Sequence, residues 1–157
     1  MVVSGRRLAS EVGRHILKEG GNAVDAAVGV GYALAVVYPA AGNIGGGGFM
    51  TLRAPDGQAY FLDFREHAPK AAKADMYLDA QGHVIPKMSV VGWKSVGVPG
   101  TVAGLDFALK KWGTLPRAKV MAPAVALAQD GFVLDENDVH LLQTSTKAFA
   151  ADPYAAK

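Results

Sequence analysis

The sequence contains no cysteine, and this absence excludes several classes of chemistry. A disulfide framework, a thiolate zinc site and a cysteine nucleophile all require that residue. Histidine is scarce as well, and the four histidines share no spacing typical of metal ligands. We therefore predict no metal site, and no motif in the chain indicates a cofactor.

An excess of one charge and a long apolar run are also missing. Sixteen lysines and arginines stand against fourteen aspartates and glutamates, which gives a net charge of +2, and the basic residues are spread along the chain. This pattern argues against a nucleic-acid partner. No stretch approaches the roughly 20 apolar residues that a membrane helix requires. The nearest one, residues 23–39, contains Asp25 and ends at Pro39, so it predicts a buried helix.

The residues that are present predict a single α+β domain over residues 1–157, since half of them are hydrophobic. Apolar periodicity, capping residues and glycine stops predict five helices, and Pro55-Asp56-Gly57 predicts the turn of a β-hairpin. Two strands with apolar residues on both faces make a poor sheet, so we expect further strands from a segment outside this chain. The predicted helices span about 7–19, 22–37, 101–112, 116–130 and 136–149, and the hairpin spans about 48–65.

Four consecutive glycines, Gly45, Gly46, Gly47 and Gly48, lie between a predicted helix and a predicted strand. A flexible loop is one interpretation, and a phosphate cradle is another. Phosphate-binding glycines follow a strand and precede a helix, with a lysine close behind, and this chain has the opposite order. Close approach of backbones is therefore the favoured interpretation.

Several separate blocks carry a resemblance to a known family. They are GGNAVDAAV, GNIGGGGFM, LDFRE followed by AP, SVGVPGTVAG, WGTLP and PAVALAQDGF. In type, order and spacing they resemble the amino-terminal part of the large subunit of the γ-glutamyltranspeptidase family. So many blocks are far more specific than any single glycine motif.

The resemblance implies an N-terminal-nucleophile hydrolase with a four-layer αββα sandwich, which this chain would contain only in part. Such enzymes are precursors that cut themselves into two subunits. The new amino-terminal threonine of the small subunit attacks the γ-glutamyl amide of glutathione and related compounds. Water or an amine then resolves the acyl-enzyme. By this resemblance no catalytic residue lies in the 157 residues, and the small-subunit segment is an expected partner.

Carried over to this chain, the LDFRE block assigns Arg65 to the α-carboxylate of the γ-glutamyl substrate. A guanidinium suits that task because its planar fork matches a carboxylate. Glu66 is a weaker candidate, for orienting Arg65 or contacting the substrate amine. From the residues alone, an exposed Arg65 paired with Asp63 or Glu66 is the alternative. The resemblance gives the four glycines a structural role near the site.

Two other interpretations stay open. The chain alone is expected to be inactive, so a non-catalytic module of the same fold is one alternative. A related acylase, acting on β-lactam side chains or poly-γ-glutamate, is another, although Arg65 favours a substrate with a free α-carboxylate. The resemblance further implies a periplasmic or secreted enzyme.

Overall fold

In a computed structural model, residues 1–153 and residue 156 are described, and the chain divides into two compact units. The helical unit comprises Met1–Asn43 and Leu105–Lys157, and the hairpin unit comprises Ile44–Gly104. This division is finer than the single domain predicted over residues 1–157, which stays a prediction. The end of that predicted domain, residues 154, 155 and 157, lies outside the described residues.

The described residues contain five α-helices, whose ends fall within two residues of the predicted ones. None of these helices is long and apolar enough to cross a membrane. In chain order they are α1 (Arg7–Lys18), α2 (Ala23–Val37), α3 (Thr101–Trp112), α4 (Arg117–Asp130) and α5 (Glu136–Ala151).

The core of the helical unit lies where α1 and α4 pack against α2. Ile16 of α1, Val28 of α2 and Val120 of α4 are almost completely buried. Gly29 lies at this contact, because a methyl group in its place would overlap the Ile16 side chain and reach 3.3 Å from the Val120 carbonyl oxygen. The small residues of α2 therefore permit the close helix packing that its composition predicts.

A buried carboxylate joins the start of α2 to the loop after α3. The Asn22 side chain accepts hydrogen bonds from the backbone N–H groups of Val24 and Asp25, and Asp25 accepts one in return from Asn22 N at 2.8 Å. Asp25 also accepts from Thr114 N at 2.9 Å, Thr114 Oγ1 at 2.7 Å and Leu115 N at 3.2 Å. Burial opposes ionisation, but these hydrogen bonds outweigh it and lower the pKa of Asp25.

One local expectation needs correction. By residue type, Thr101 after Pro99-Gly100 predicts the cap of α3, but it is the first helical residue, and the Gly100 carbonyl accepts the first helical hydrogen bond from Gly104 N at 2.8 Å. Gly100 therefore occupies the capping position. Pro123 within the fourth helix predicts a kink or a division of that helix; α4 is not divided there, and the kink stays a prediction. The N–H that proline lacks leaves a single gap in the hydrogen-bond ladder, which the helix tolerates.

The hairpin unit is built on two antiparallel strands, β1 (Phe49–Arg53) and β2 (Ala59–Asp63). Phe49 lies opposite Asp63, and Thr51 lies opposite Phe61. The connecting turn is closed by Ala54 N donating to Gln58 O at 2.8 Å, and Gly57 supplies the positive φ of +85°. Most of the remaining unit is irregular, apart from a 3₁₀ turn at Trp93–Ser95. The chain thus combines α-helices with a small two-stranded sheet.

Candidate functional site

Arg65 follows directly on the last pair of the hairpin ladder. Beyond the two strands, Gly48 and Phe64 exchange backbone hydrogen bonds of 3.3 and 3.0 Å. Arg65 N then donates to Asp63 Oδ1 at 2.9 Å, which turns the chain out of the strand. The sequence "LDFRE" therefore places the guanidinium at the end of a regular hydrogen-bonded ladder, where the backbone is held on both sides.

Three backbone segments meet around Arg65, and we call this region, residues 46–48, 64–67 and 98–100, the backbone junction. Gly48 pairs with Phe64, as described above. On the other side, His67 and Val98 form an antiparallel bridge, with N···O distances of 3.2 and 2.8 Å. Gly100 N closes the junction by donating to the Gly46 carbonyl oxygen at 2.8 Å. Arg65 and Glu66 thus lie between Phe64 and His67, whose backbones are each hydrogen-bonded to another segment of the junction.

The consecutive glycines are not equivalent at this junction. A methyl group at Gly47 would lie 2.6 Å from both Glu66 N and Phe64 O and 2.7 Å from the Arg65 Cα, closer than real Cβ contacts. At Gly45 the same methyl group would meet nothing within 4 Å. Neither position has a positive φ. The requirement at Gly47 is therefore close backbone approach and not an unusual conformation.

Two later glycines make room for Phe64 in the same way. A methyl group at Gly100 would overlap the Phe64 carbonyl, and one at Gly104 would overlap the Phe64 ring. At Gly97 it would lie 3.1 Å from the Glu66 Cβ. The glycines of the block SVGVPGTVAG therefore let that segment pass directly beside the backbone that carries Arg65 and Glu66.

A cavity of about 400 Å³ opens beside the junction, and Arg65 and Glu66 both line it. The Tyr77 hydroxyl donates to the Lys94 carbonyl oxygen at 3.0 Å, which links two of the lining residues to each other. The remaining lining residues come from two stretches of the hairpin unit; they are His67, Ala68, Pro69, Ala72, Met76, Lys94, Ser95, Val96 and Gly97.

The charged side chains of this cavity are not paired with one another. Among the described residues, neither the Arg65 guanidinium nor the Lys94 ammonium takes part in an ion pair or a side-chain hydrogen bond. The alternative in which Arg65 pairs with Asp63 or Glu66 is therefore not what the structure shows. Asp63 instead accepts from the Arg65 backbone. An exposed, unpaired guanidinium on a fixed backbone can take a carboxylate by two parallel hydrogen bonds.

The structure thus brings together Arg65 and Glu66, with Gly46, Gly47 and Gly48 beside them, while Gly45 does not contact the site residues. Sequence reasoning missed His67, Tyr77 and Lys94 as cavity residues. Lys94 is separated from Arg65 by an irregular stretch, so no periodic pattern could have placed the two together. In residues 1–153 and 156, no three histidine, aspartate or glutamate side chains are grouped so as to hold a metal ion.

The profile of the family described as Gamma-glutamyltranspeptidase matches residues 9–157. The chain belongs to this family. The glutathione hydrolase proenzyme of Pseudomonas sp. strain A14 is 60% identical over 152 residues, which are 97% of this chain and 26% of that protein. This chain spans about a quarter of the length of the curated relatives it matches.

Two further matches are a solved structure and a curated protein. The crystal structure of Helicobacter pylori gamma-glutamyltranspeptidase has a TM-score of 0.95 and 46% identity, covering 99% of this chain and 44% of that one. The acylase ACY 1 proenzyme of Pseudomonas sp. strain V22 is 40% identical over 98% of this chain and 28% of that protein. The fold of the described residues is therefore shared with the Helicobacter pylori structure.

Proposed function

We propose that this chain forms the wall of a γ-glutamyl site that binds the substrate α-carboxylate, in an enzyme that hydrolyses or transfers the γ-glutamyl group of glutathione and related amides. The observation that carries the proposal is the unpaired Arg65 guanidinium, held on the backbone junction and lining a cavity. Membership of the γ-glutamyltranspeptidase family and the glutathione hydrolase relatives support it.

In this proposal Arg65 binds and orients the substrate and takes no part in proton transfer. Its planar fork holds the α-carboxylate, and Glu66 is placed to accept a hydrogen bond from the α-ammonium. Fixing both groups sets the position of the γ-carbonyl carbon, which is four bonds from the α-carboxylate carbon along the side chain, against the nucleophile. That nucleophile is the threonine of the small subunit that the family resemblance implies, reached after self-cleavage of a precursor.

We propose in addition that the sheet of this chain is one part of a larger fold. The two-stranded sheet becomes part of an αββα sandwich when other segments of the enzyme supply its neighbouring strands. Two apolar residues on one face of the sheet support this view, because Phe49 and Phe61 are 54% and 63% exposed in the described chain.

The test is release of p-nitroaniline from γ-glutamyl-p-nitroanilide by the complete gene product that contains these residues. Arg65→Ala is expected to lower kcat/KM by about a hundredfold, since a charge-assisted bidentate contact is lost. Arg65→Lys should fall between Ala and wild type, because lysine keeps the charge but not the fork. The main loss should appear in KM for a residue that holds the substrate.

Arg53→Ala is the matched control. Arg53 is an exposed arginine at the end of β1, in the same hairpin, and it does not line the cavity. Its variant should keep kcat/KM within about twofold of wild type, as exposed substitutions away from a site usually do. Equal activity of wild type and Arg65→Ala would contradict the assigned role of Arg65. No release by the wild-type protein would favour the non-catalytic module.

A related acylase is the second candidate, and the 40% identity to the acylase ACY 1 proenzyme favours it. A γ-aminobutyryl anilide distinguishes the two, because it keeps the scissile amide and the amine but lacks the α-carboxylate. A γ-glutamyl enzyme should have little activity on this compound. An acylase that does not bind the α-carboxylate should retain its activity.

We also propose that the enzyme acts in the periplasm or outside the cell. The proposal comes from the family resemblance alone, since bacterial members of the family are usually exported. Fractionation of the source cells, with activity followed in the periplasmic, cytoplasmic and culture fractions, tests it.

A further inference from the structure

The cavity beside the backbone junction holds a second cation that binding of an α-carboxylate does not use. Lys94 lines this cavity together with Arg65 and Glu66, and its ammonium has no ion-pair partner among the described residues. Arg65 and Lys94 carry two positive charges, and Glu66 carries one negative charge. The cavity therefore has a surplus positive charge once Glu66 is balanced against one of the two cations.

Hydrogen bonds at Lys94 and at neighbouring residues hold its backbone in place. Its carbonyl oxygen accepts from Tyr77 Oη at 3.0 Å, and the 3₁₀ turn that contains it is closed by Ser95 Oγ donating to Gly92 O at 2.7 Å. Four residues after Lys94, Val98 pairs with His67. The backbone of Lys94 is thus tied to the same segment that carries Arg65, while its side chain stays exposed.

We propose that Lys94 binds a second carboxylate of the substrate, namely the free carboxyl terminus of a γ-glutamyl peptide. This inference rests on the proposed function, and it names Lys94 as a residue that determines specificity for anionic leaving groups. The charges match in number and sign. A γ-glutamyl peptide presents an α-carboxylate, an α-ammonium and a terminal carboxylate to Arg65, Glu66 and Lys94.

The dimensions of such a peptide fit recognition at two points. A γ-glutamyl tripeptide separates its two carboxylates by about 10 Å when extended, from the length of three chain units. Long, flexible arginine and lysine side chains that line one cavity can engage both ends of a molecule of this size. A γ-glutamyl amide without a terminal carboxylate leaves Lys94 unused.

The experiment compares glutathione with its carboxy-terminal amide, which differ only in the charge of the terminal group. In the complete gene product, wild type should show about fivefold higher kcat/KM for the acid than for the amide, the range of a solvent-exposed ion pair. Lys94→Gln should reduce this ratio to about one, with kcat/KM for the amide unchanged. Lys94→Arg should restore the preference, and 1 M salt should weaken it in wild type.

Lys73→Gln is the control, because Lys73 is an exposed lysine of the same unit that does not line the cavity. It should leave the acid-to-amide ratio unchanged. An equal loss on both substrates in Lys94→Gln would overturn the inference and make Lys94 a support of the cavity wall. So would a wild-type ratio near one.

Calorimetric binding of the two compounds separates this inference from the proposed function. If wild type hydrolyses neither compound but binds the acid more tightly than the amide, and Lys94→Gln removes that difference, the proposed activity fails while the carboxylate contact stands. If neither hydrolysis nor preferential binding is observed, both proposals are overturned.

Discussion

In the helical unit, α1, α2 and α4 enclose side chains that water does not reach, whereas the described apolar residues of the hairpin unit are half-buried or exposed. Every buried apolar side chain of the described residues belongs to the helical unit. In the hairpin unit, Phe49 and Phe61 stack on one sheet face with ring centroids 5.9 Å apart, and both are more than half exposed.

This difference shows that the two units obtain their shape from different forces. Burial of apolar surface holds the helices, at about 25 cal/mol for each Å² removed from water. The hairpin unit relies on backbone hydrogen bonds and on glycines that let its segments pass closely. Arg65 and Glu66 lie in this second unit, so the candidate site depends on backbone geometry more than on a packed core.

The largest effect is expected from a methyl group at the backbone junction. Gly47→Ala should lower kcat/KM for γ-glutamyl-p-nitroanilide by about a hundredfold or more, because the new Cβ must displace the backbone of Phe64, Arg65 and Glu66. Gly45→Ala, where the methyl group meets nothing, should stay close to wild type. Similar activity of the two variants would show that the junction does not set the position of Arg65.

The next prediction contrasts a core residue with an exposed aromatic one. Ile16→Ala should reduce the free energy of unfolding of residues 1–157 by about 3 kcal/mol, since Ile16 is only 2% exposed. Phe61→Ala should cost less than about 1 kcal/mol in the same chain, because its ring is already mostly in water. Urea denaturation followed by circular dichroism measures both.

Repeating the Phe61→Ala measurement in the complete gene product sharpens this contrast. If other segments cover the sheet, the cost should rise to the level of Ile16→Ala. An unchanged small cost there would contradict the expectation of further strands beside the hairpin.

Removing the buried charge of Asp25 should have a somewhat smaller effect. Asp25→Asn keeps the size of the side chain but faces the donors of Thr114 and Leu115 with an amide, so a loss of about 2 kcal/mol in unfolding free energy is expected. Asp106→Asn is the control, because Asp106 is partly exposed and its ion pairs with Lys110 and Arg117 lie at the surface. It should cost clearly less than Asp25→Asn, because surface ion pairs contribute little.

The smallest effect is expected in the pH dependence of stability, which also tests the role of the Asp25 carboxylate. The folded-state pKa of Asp25 lies below its ordinary value of 3.8, so its ionised form stabilises the fold at higher pH. This contribution is complete above pH 3.8 and is lost as the pH falls through the folded-state pKa. The stability difference between wild type and Asp25→Asn should therefore shrink on acidification, and a constant difference would contradict it.

Much of the secondary structure could be predicted because its causes are local. Asn22 and Asp135 cap helices through bonds to residues two or three positions away, and Pro55 to Gly57 form a turn by their own backbone preferences. The cap of α3 was misplaced by one residue, because Thr101 suits that position by type but the chain uses Gly100. Local preference for a residue type does not fix where a helix begins.

The candidate site was predicted only in part, since its residues come from distant stretches. Arg65 and Glu66 were found through the motif that contains them. His67 pairs with Val98, and this pairing brings Lys94 to the same cavity. The residues around this pair are irregular, so no periodic sequence pattern predicts it. The sequence places Asp25 near the start of a helix, but its hydrogen bonds to Thr114 and Leu115, which cross 89 and 90 positions of chain, could not be predicted from it.

The sequence by itself determined the order of helices and strands, the absence of cysteine chemistry and the family, because these depend on residue type and on spacing over a few positions. Only the tertiary structure decided that Gly47 must be glycine while Gly45 need not be, and that Arg65 and Lys94 line one cavity with no ion-pair partner for Arg65 among the described residues. Those facts depend on which backbones pass within a few Å of each other. That proximity is produced by packing and long-range hydrogen bonds, which no local pattern encodes.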